Sequence, residues 1–160
     1  MGRSPHAIIV AFLAMMKKGH THHCKPYMTT LLERIAKYQD VHIKRSRGHE
    51  CTHEIEAKGY MKRRRRWTRD PETGIRSKSS VWTFTMYGAQ YCINKGMDYA
   101  KVLLAAMIEW RKRHDGRFPG PKDIFPGEEG MDEAKALDRL QWYYKDIVNW
   151  PAGGNTPATT

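Results

Sequence analysis

Five basic residues in a row, Lys62–Arg66, stand near the middle of the chain and run directly into Trp67. Side chains alternate faces along extended backbone, so Met61, Arg63, Arg65 and Trp67 share one face while Lys62, Arg64 and Arg66 share the other. Burying unpaired charge is costly, and a strand with arginine on both faces cannot lie between two packed layers. It fits one leg of a hairpin that projects from a small domain and is anchored at its base by Tyr60 and Met61. The second leg is read at Ser79–Met86, where Val81, Thr83 and Thr85 alternate with Trp82, Phe84 and Met86. Between the legs lies the stretch RDPETGIRSK, rich in turn formers.

Three helices are expected upstream. Ser4-Pro5 reads as an N-cap with proline at the first helical position, followed by Ile8, Ile9, Phe12, Leu13 and Met16 at helical spacing, with Gly19 closing the helix. The capping-box pattern Thr30–Glu33 starts a second helix through about Tyr38, with Leu31, Leu32, Ile35 and Ala36 inward. A third fits Ser46–Lys58 and stops at Gly59. Its apolar stripe is thin, only Gly48, Cys51, Thr52 and Ile55, so most of its surface faces something other than its own core. Downstream, Tyr99, Val102, Leu103, Ala106 and Trp110 mark a helix over Met97–His114, and Leu137, Leu140, Tyr144, Ile147 and Val148 mark another over Asp132–Val148. The tail 151–160 (PAGGNTPATT) reads as disordered.

Charge sorts the chain into two parts. Residues 1–78 hold 18 Lys+Arg against 7 Asp+Glu, a balance of +11, whereas residues 79–160 hold 10 of each. A polyanion would therefore meet the first half, and nucleic acid is the leading candidate. No apolar run approaches the roughly 18 residues of a membrane span, and Lys17-Lys18 with the following histidines replaces the cleavage site that a secretion signal at Ala7–Met16 would need. The three cysteines, Cys24, Cys51 and Cys92, form no paired framework, which points to a reducing, cytoplasmic setting. The clusters His20/His22/His23/Cys24 and His49/Cys51/His53 match no structural-zinc spacing, so no metal and no cofactor is expected. Cys92 and His114 stand in no catalytic motif, and an enzyme is not expected.

The stretch Ile55-Glu-Ala-Lys-Gly59-Tyr60-Met61, followed by basic residues, resembles the exit from the recognition helix in the winged helix-turn-helix superfamily. Ser80–Gly88 (SVWTFTMYG) resembles the second wing strand and the T-x-x-G that follows it in MarR- and PadR-like regulators. The resemblance covers about Pro5–Tyr91, with Gly48, Cys51 and Thr52 standing where apolar residues are usual. It implies three helices and a two-stranded wing in residues 1–95, which with the C-terminal helical unit read from spacing in 96–150 makes an α+β, mainly α fold. It also implies a third helix in the major groove of double-stranded DNA, offering Arg45, Ser46, Arg47, His49, Glu50 and His53, with Arg47 and His49 as base readers. The wing would lay Lys62, Arg63, Arg64, Arg65, Arg66, Arg69, Arg76 and Lys78 along the backbone or minor groove.

The function implied is a sequence-specific transcriptional regulator of repressor type, suited to a phage, plasmid or other mobile element and paired as a homodimer through its C-terminal helices. A replication initiator is an alternative on the same architecture. An accessory or inhibitor factor that binds a protein partner through the C-terminal half is an alternative from another class.

Overall fold

A computed structural model describes residues 1–72 and 74–124. In chain order the elements are α1 (Arg3–Gly19), β1 (His23–Cys24), α2 (Met28–Gln39), α3 (Arg45–Ala57), β2 (Met61–Asp70), β3 (Gly74–Phe84), α4 (Met86–Asn94), α5 (Tyr99–Arg113) and α6 (Pro121–Ile124). The fold is α+β and mainly helical, with one antiparallel sheet ordered β1-β3-β2 among the described residues. The expected helix at Asp132–Val148 and the tail at 151–160 lie outside them.

α1 runs through the centre. Ile8, Ile9, Phe12 and Met16 are fully buried, and Phe12 lies 5.2 Å, ring to ring, from Trp82 of β3. Leu31 and Ile35 of α2, Cys51 and Ile55 of α3, and Met61, Trp82 and Phe84 of the sheet close around it. Cys92 of α4 and Leu103 and Met107 of α5 belong to the same core. Burying each large side chain of this kind is worth about 1.5–3 kcal/mol, and the shared core makes α5 part of the unit that carries the sheet.

Several boundaries differ from the sequence reading. α1 starts at Arg3, not after Ser4, with Gly2 in the N-cap position and no side-chain cap. Pro5 still fits, because amides of the first turn have no partner within the helix. The residue that turns α1 out of its helix is His20 (φ 50°), one place after Gly19, with the Thr21 N–H donating to Met16 O at 3.0 Å. α2 begins at Met28, ahead of the Thr30 capping pattern, again without a side-chain cap. On its inward side Leu31 and Ile35 are buried, while Leu32 and Ala36 are only half-buried.

The hairpin is longer than read. Its pairing runs from Met61↔Phe84 to Asp70↔Gly74, so the expected ten-residue connection shrinks to a tight turn with Gly74 at φ 82°. An irregularity falls between Arg64↔Val81 and Arg66↔Lys78, where Ser79 and Ser80 together face Arg65. β3 ends at Phe84 rather than Met86, because Thr85 caps a further helix, α4, that the sequence reading did not contain. β1 was also absent from that reading. It pairs through His23↔Thr83 and Cys24↔Trp82, which makes β3 a central strand with Val81, Trp82, Thr83 and Phe84 all buried.

Candidate nucleic-acid interface

α3 presents two faces. Gly48, Cys51, Thr52 and Ile55 are buried, as the sequence stripe indicates, and Arg45, Ser46, Arg47, His49, Glu50 and His53 are exposed. Gly48 is explained by its neighbours. A Cβ there would come within 2.9 Å of Met28 Sδ and 3.2 Å of a Leu32 methyl, so two α2 side chains fill the space that an apolar residue would take. Thr52 satisfies its hydroxyl locally by donating to His49 O at 2.9 Å. α3 starts at Arg45 with Lys44 in the N-cap position and no side chain capping its first amides. Lys44 is exposed beside Arg45 and was missed by the sequence reading, which began the helix one residue later.

At its other end α3 turns straight into β2. Gly59 adopts φ 76°, its N–H donates to Glu56 O at 3.1 Å, and Tyr60 N–H reaches back to Ile55 O at 3.1 Å. This pair of bonds closes the helix and aims the chain into the hairpin. Thr85 fastens the other leg to the same point. Its hydroxyl donates to Gly59 O at 2.5 Å, its N–H donates to Tyr60 O at 3.1 Å, and it accepts the Gly88 N–H at 3.0 Å. The spacing of Thr85 and Gly88 thus has a structural meaning: the threonine both caps α4 and welds the root of the hairpin.

The basic residues of the hairpin play different parts. Arg63 is turned inward. Its side chain is 20% exposed, pairs with Glu56 of α3 at 3.0 Å and lies over the Trp82 ring at 5.8 Å. Arg66 grips the irregular point of β3, donating from Nε to Ser79 O at 2.8 Å and from Nη2 to Ser79 Oγ at 2.9 Å. Ser79 Oγ in turn donates to Lys25 O at 2.7 Å, which ties the hairpin to the segment before α2. Lys62 and Arg65 are exposed, while Arg64 and Lys78 are half-buried. Arg69 and Arg76 lie on the strands beyond the irregularity, opposite Ile75 and Thr68.

Each acid on α3 has a basic partner: Glu50 with Arg47 at 3.2 Å, Glu54 with Lys58 at 2.8 Å, and Glu56 with Arg63. Exposed pairs such as Arg47–Glu50 add little stability, so Arg47 can exchange its partner at small cost. Lys44, Arg45, Lys62 and Arg65 are exposed and belong to no ion pair among the described residues. They form the uncompensated positive charge of this surface.

The structural and exposed arginines can be told apart by stability alone. Arg66→Ala is expected to lower stability by about 1–3 kcal/mol, the size of lost hydrogen bonds from a charged donor. Arg65→Ala is expected to change it by less than about 0.5 kcal/mol, as an exposed substitution should. Urea unfolding followed by tryptophan fluorescence measures both, and equal effects would contradict the clamp assigned to Arg66.

Of the histidine-rich stretch, His23 and Cys24 form the short strand β1. His22 and Cys24 are buried and His23 pairs with β3. Among the described residues no three His, Cys, Asp or Glu side chains converge as metal ligands would. All three cysteines are free and buried, and burial pushes the Cys92 thiol up to about 12. No helix of the described residues is long and apolar enough to cross a membrane. Comparison with models of protein families, with curated proteins and with solved structures gives no match to this chain.

Proposed function

We propose that the protein binds double-stranded DNA through α3 and the β2–β3 hairpin, as a winged helix-turn-helix regulator of transcription. The observation that carries this reading is the coupling of an outward-facing polar helix to a basic hairpin through one rigid joint, Gly59–Tyr60–Thr85. The acids of α3 are matched locally, and Lys44, Arg45, Lys62 and Arg65 remain for phosphate. His49 and Arg47, one turn into α3, are the side chains assigned to base edges. Arg63 and Arg66 support the surface from behind.

Of the two apolar stripes expected to form a dimer, that of α5 is largely covered within the chain: Leu103, Ala106 and Trp110 are buried and Val102 is half-buried. A two-fold pair would therefore not be built on the α5 stripe.

The test is binding to a pool of random duplexes and to the best site selected from it. With about four phosphates neutralised, affinity should fall roughly a hundredfold between about 50 and 200 mM salt. Reversing charge at both Lys62 and Arg65 (Lys62→Glu, Arg65→Glu) should weaken all duplexes alike and reduce the salt slope by about two. His49→Ala should instead erode preference for the selected site by about 1–3 kcal/mol. Affinity that is flat in salt would end the proposal.

A further inference from the structure

A cleft of about 660 Å³ opens between the root of β2 and the segment Arg117–Asp123. That is within the roughly 300–1,000 Å³ range of small-molecule sites. Its apolar lining is the half-buried Phe118, backed by Met61 and Pro121, which are themselves buried. Two ion pairs frame it and cancel themselves: Arg63 with Glu56 at 3.0 Å, and Arg117 with Asp123 through two bonds of 2.9 and 3.0 Å. Asp123 also accepts the Gly120 N–H at 2.9 Å, so the 117–123 wall is held in shape before anything enters. Lys62 and Lys122 complete the lining, both exposed and neither in an ion pair among the described residues.

We infer that this cleft is a binding site for a small organic anion, a carboxylate carried on a flat apolar ring. The ring is matched by the half-buried Phe118, which holds the Arg111 guanidinium 4.8 Å from its ring centre and is backed by buried Met61 and Pro121. The carboxylate is matched by the two lysines, the only net charge left once the framing pairs are counted. A neutral ring would gain nothing from the two ammonium groups, which stay hydrated without it, and a bare inorganic anion would gain nothing from Phe118. Lys62 is also one of the proposed phosphate contacts, so the anion and a duplex would compete for it, but binding of the anion to the free protein does not require DNA.

Titration calorimetry on the full chain tests it with three probes: naphthalene-2-carboxylate, its uncharged carboxamide, and inorganic phosphate. The expected result is saturable, one-to-one binding of the carboxylate with Kd below about 1 mM, and binding of the amide and of phosphate weaker by about tenfold or more, the size of one lost charged contact. Lys122→Gln and Lys62→Gln, both at exposed positions, should each weaken the carboxylate by a similar factor while leaving the melting temperature of the free protein unchanged. Absence of saturable binding overturns the inference. So does equal affinity for the amide or for phosphate, or carboxylate affinity that neither lysine substitution changes.

Discussion

Between pH 7 and pH 5 the protein is expected to lose about 4 kcal/mol of folding stability, most of it through two adjacent histidines. His22 is 5% exposed, and its pKa is pulled down to about 3, first by burial and then by the neighbouring charge of His23. His23, on β1, is pulled down to about 4 by burial, then by Lys25 and by Arg66. In the unfolded chain both return to near 6.5. Below that pH the unfolded state takes up protons that the folded state refuses, so stability is complete above about 6.5 and drains away as pH falls. At pH 5 each histidine sits about 1.5 pH units below its unfolded pKa, and at about 1.4 kcal/mol per unit the pair amounts to roughly 4 kcal/mol. The loss continues towards the folded values of about 4 and 3. The lowered pKa of His6, caused mainly by burial, adds in the same direction. Urea midpoints at the two pH values measure the effect, and His22→Gln with His23→Gln should remove most of the slope. A wild-type midpoint that does not move between pH 7 and pH 5 would refute it.

Gly88→Ala is expected to cost about 3 kcal/mol or more, at or beyond the top of the usual overpacking range. A Cβ at Gly88 would fall well inside contact distance of the Tyr60 carbonyl oxygen, 2.8 Å from its carbonyl carbon and 3.1 Å from Phe84 Cδ1. The obstacle is backbone, and that backbone is pinned. Tyr60 O already accepts the Thr85 N–H, so it cannot retreat without opening the joint between α3 and the hairpin. Gly48→Ala makes an instructive contrast. Its nearest obstacles are the Met28 thioether and the Leu32 methyls, ends of flexible side chains that can yield. For a chain of this size, about 3 kcal/mol lowers the melting temperature by roughly 10 °C. Thermal unfolding of the two variants decides the matter, and a Gly88→Ala protein as stable as wild type would show that the close approach is not real.

What could be read from the sequence follows from where the determining information lies. The buried stripe of α3 was legible because a helix repeats its inward positions at fixed spacing, and Gly48, Cys51, Thr52 and Ile55 obey it. The turn at Gly59 was legible because a left-handed residue after a helix favours glycine. β1 left no trace, since two residues cannot display a period and their pairing depends on Thr83 and Trp82, some sixty positions away. α4 was hidden because the run ending in Thr85-Met86 is rich in strand formers, and only a hydrogen bond to Gly88 shows the threonine to be a cap. The basic run was recognised as a surface hairpin. Its division into exposed Lys62 and Arg65 and inward-tied Arg63 and Arg66 rests on Glu56 and Ser79, partners that spacing alone does not assign. α5 carried an amphipathic stripe of the right period, but periodicity does not say whether the partner is another copy or the chain's own core.

The order β1-β3-β2 leaves β2 at the border of the sheet, with no strand on its outer side among the described residues. A ten-residue border strand is a template on which another chain can add by backbone pairing, the usual first step of aggregation. Here five of its ten residues are Lys62–Arg66, so a second copy approaching in register would bring like charges together along half of its length. The opposite border, β1, is only two residues long and offers little to copy. Charge of this kind on an edge disfavours strand addition there, whatever else the run contacts. Replacing only the exposed Lys62 and Arg65 with alanine would weaken this protection while leaving the Arg63–Glu56 pair and the Arg66 clamp intact, and greater aggregation at unchanged thermal stability would then reflect self-addition at this edge.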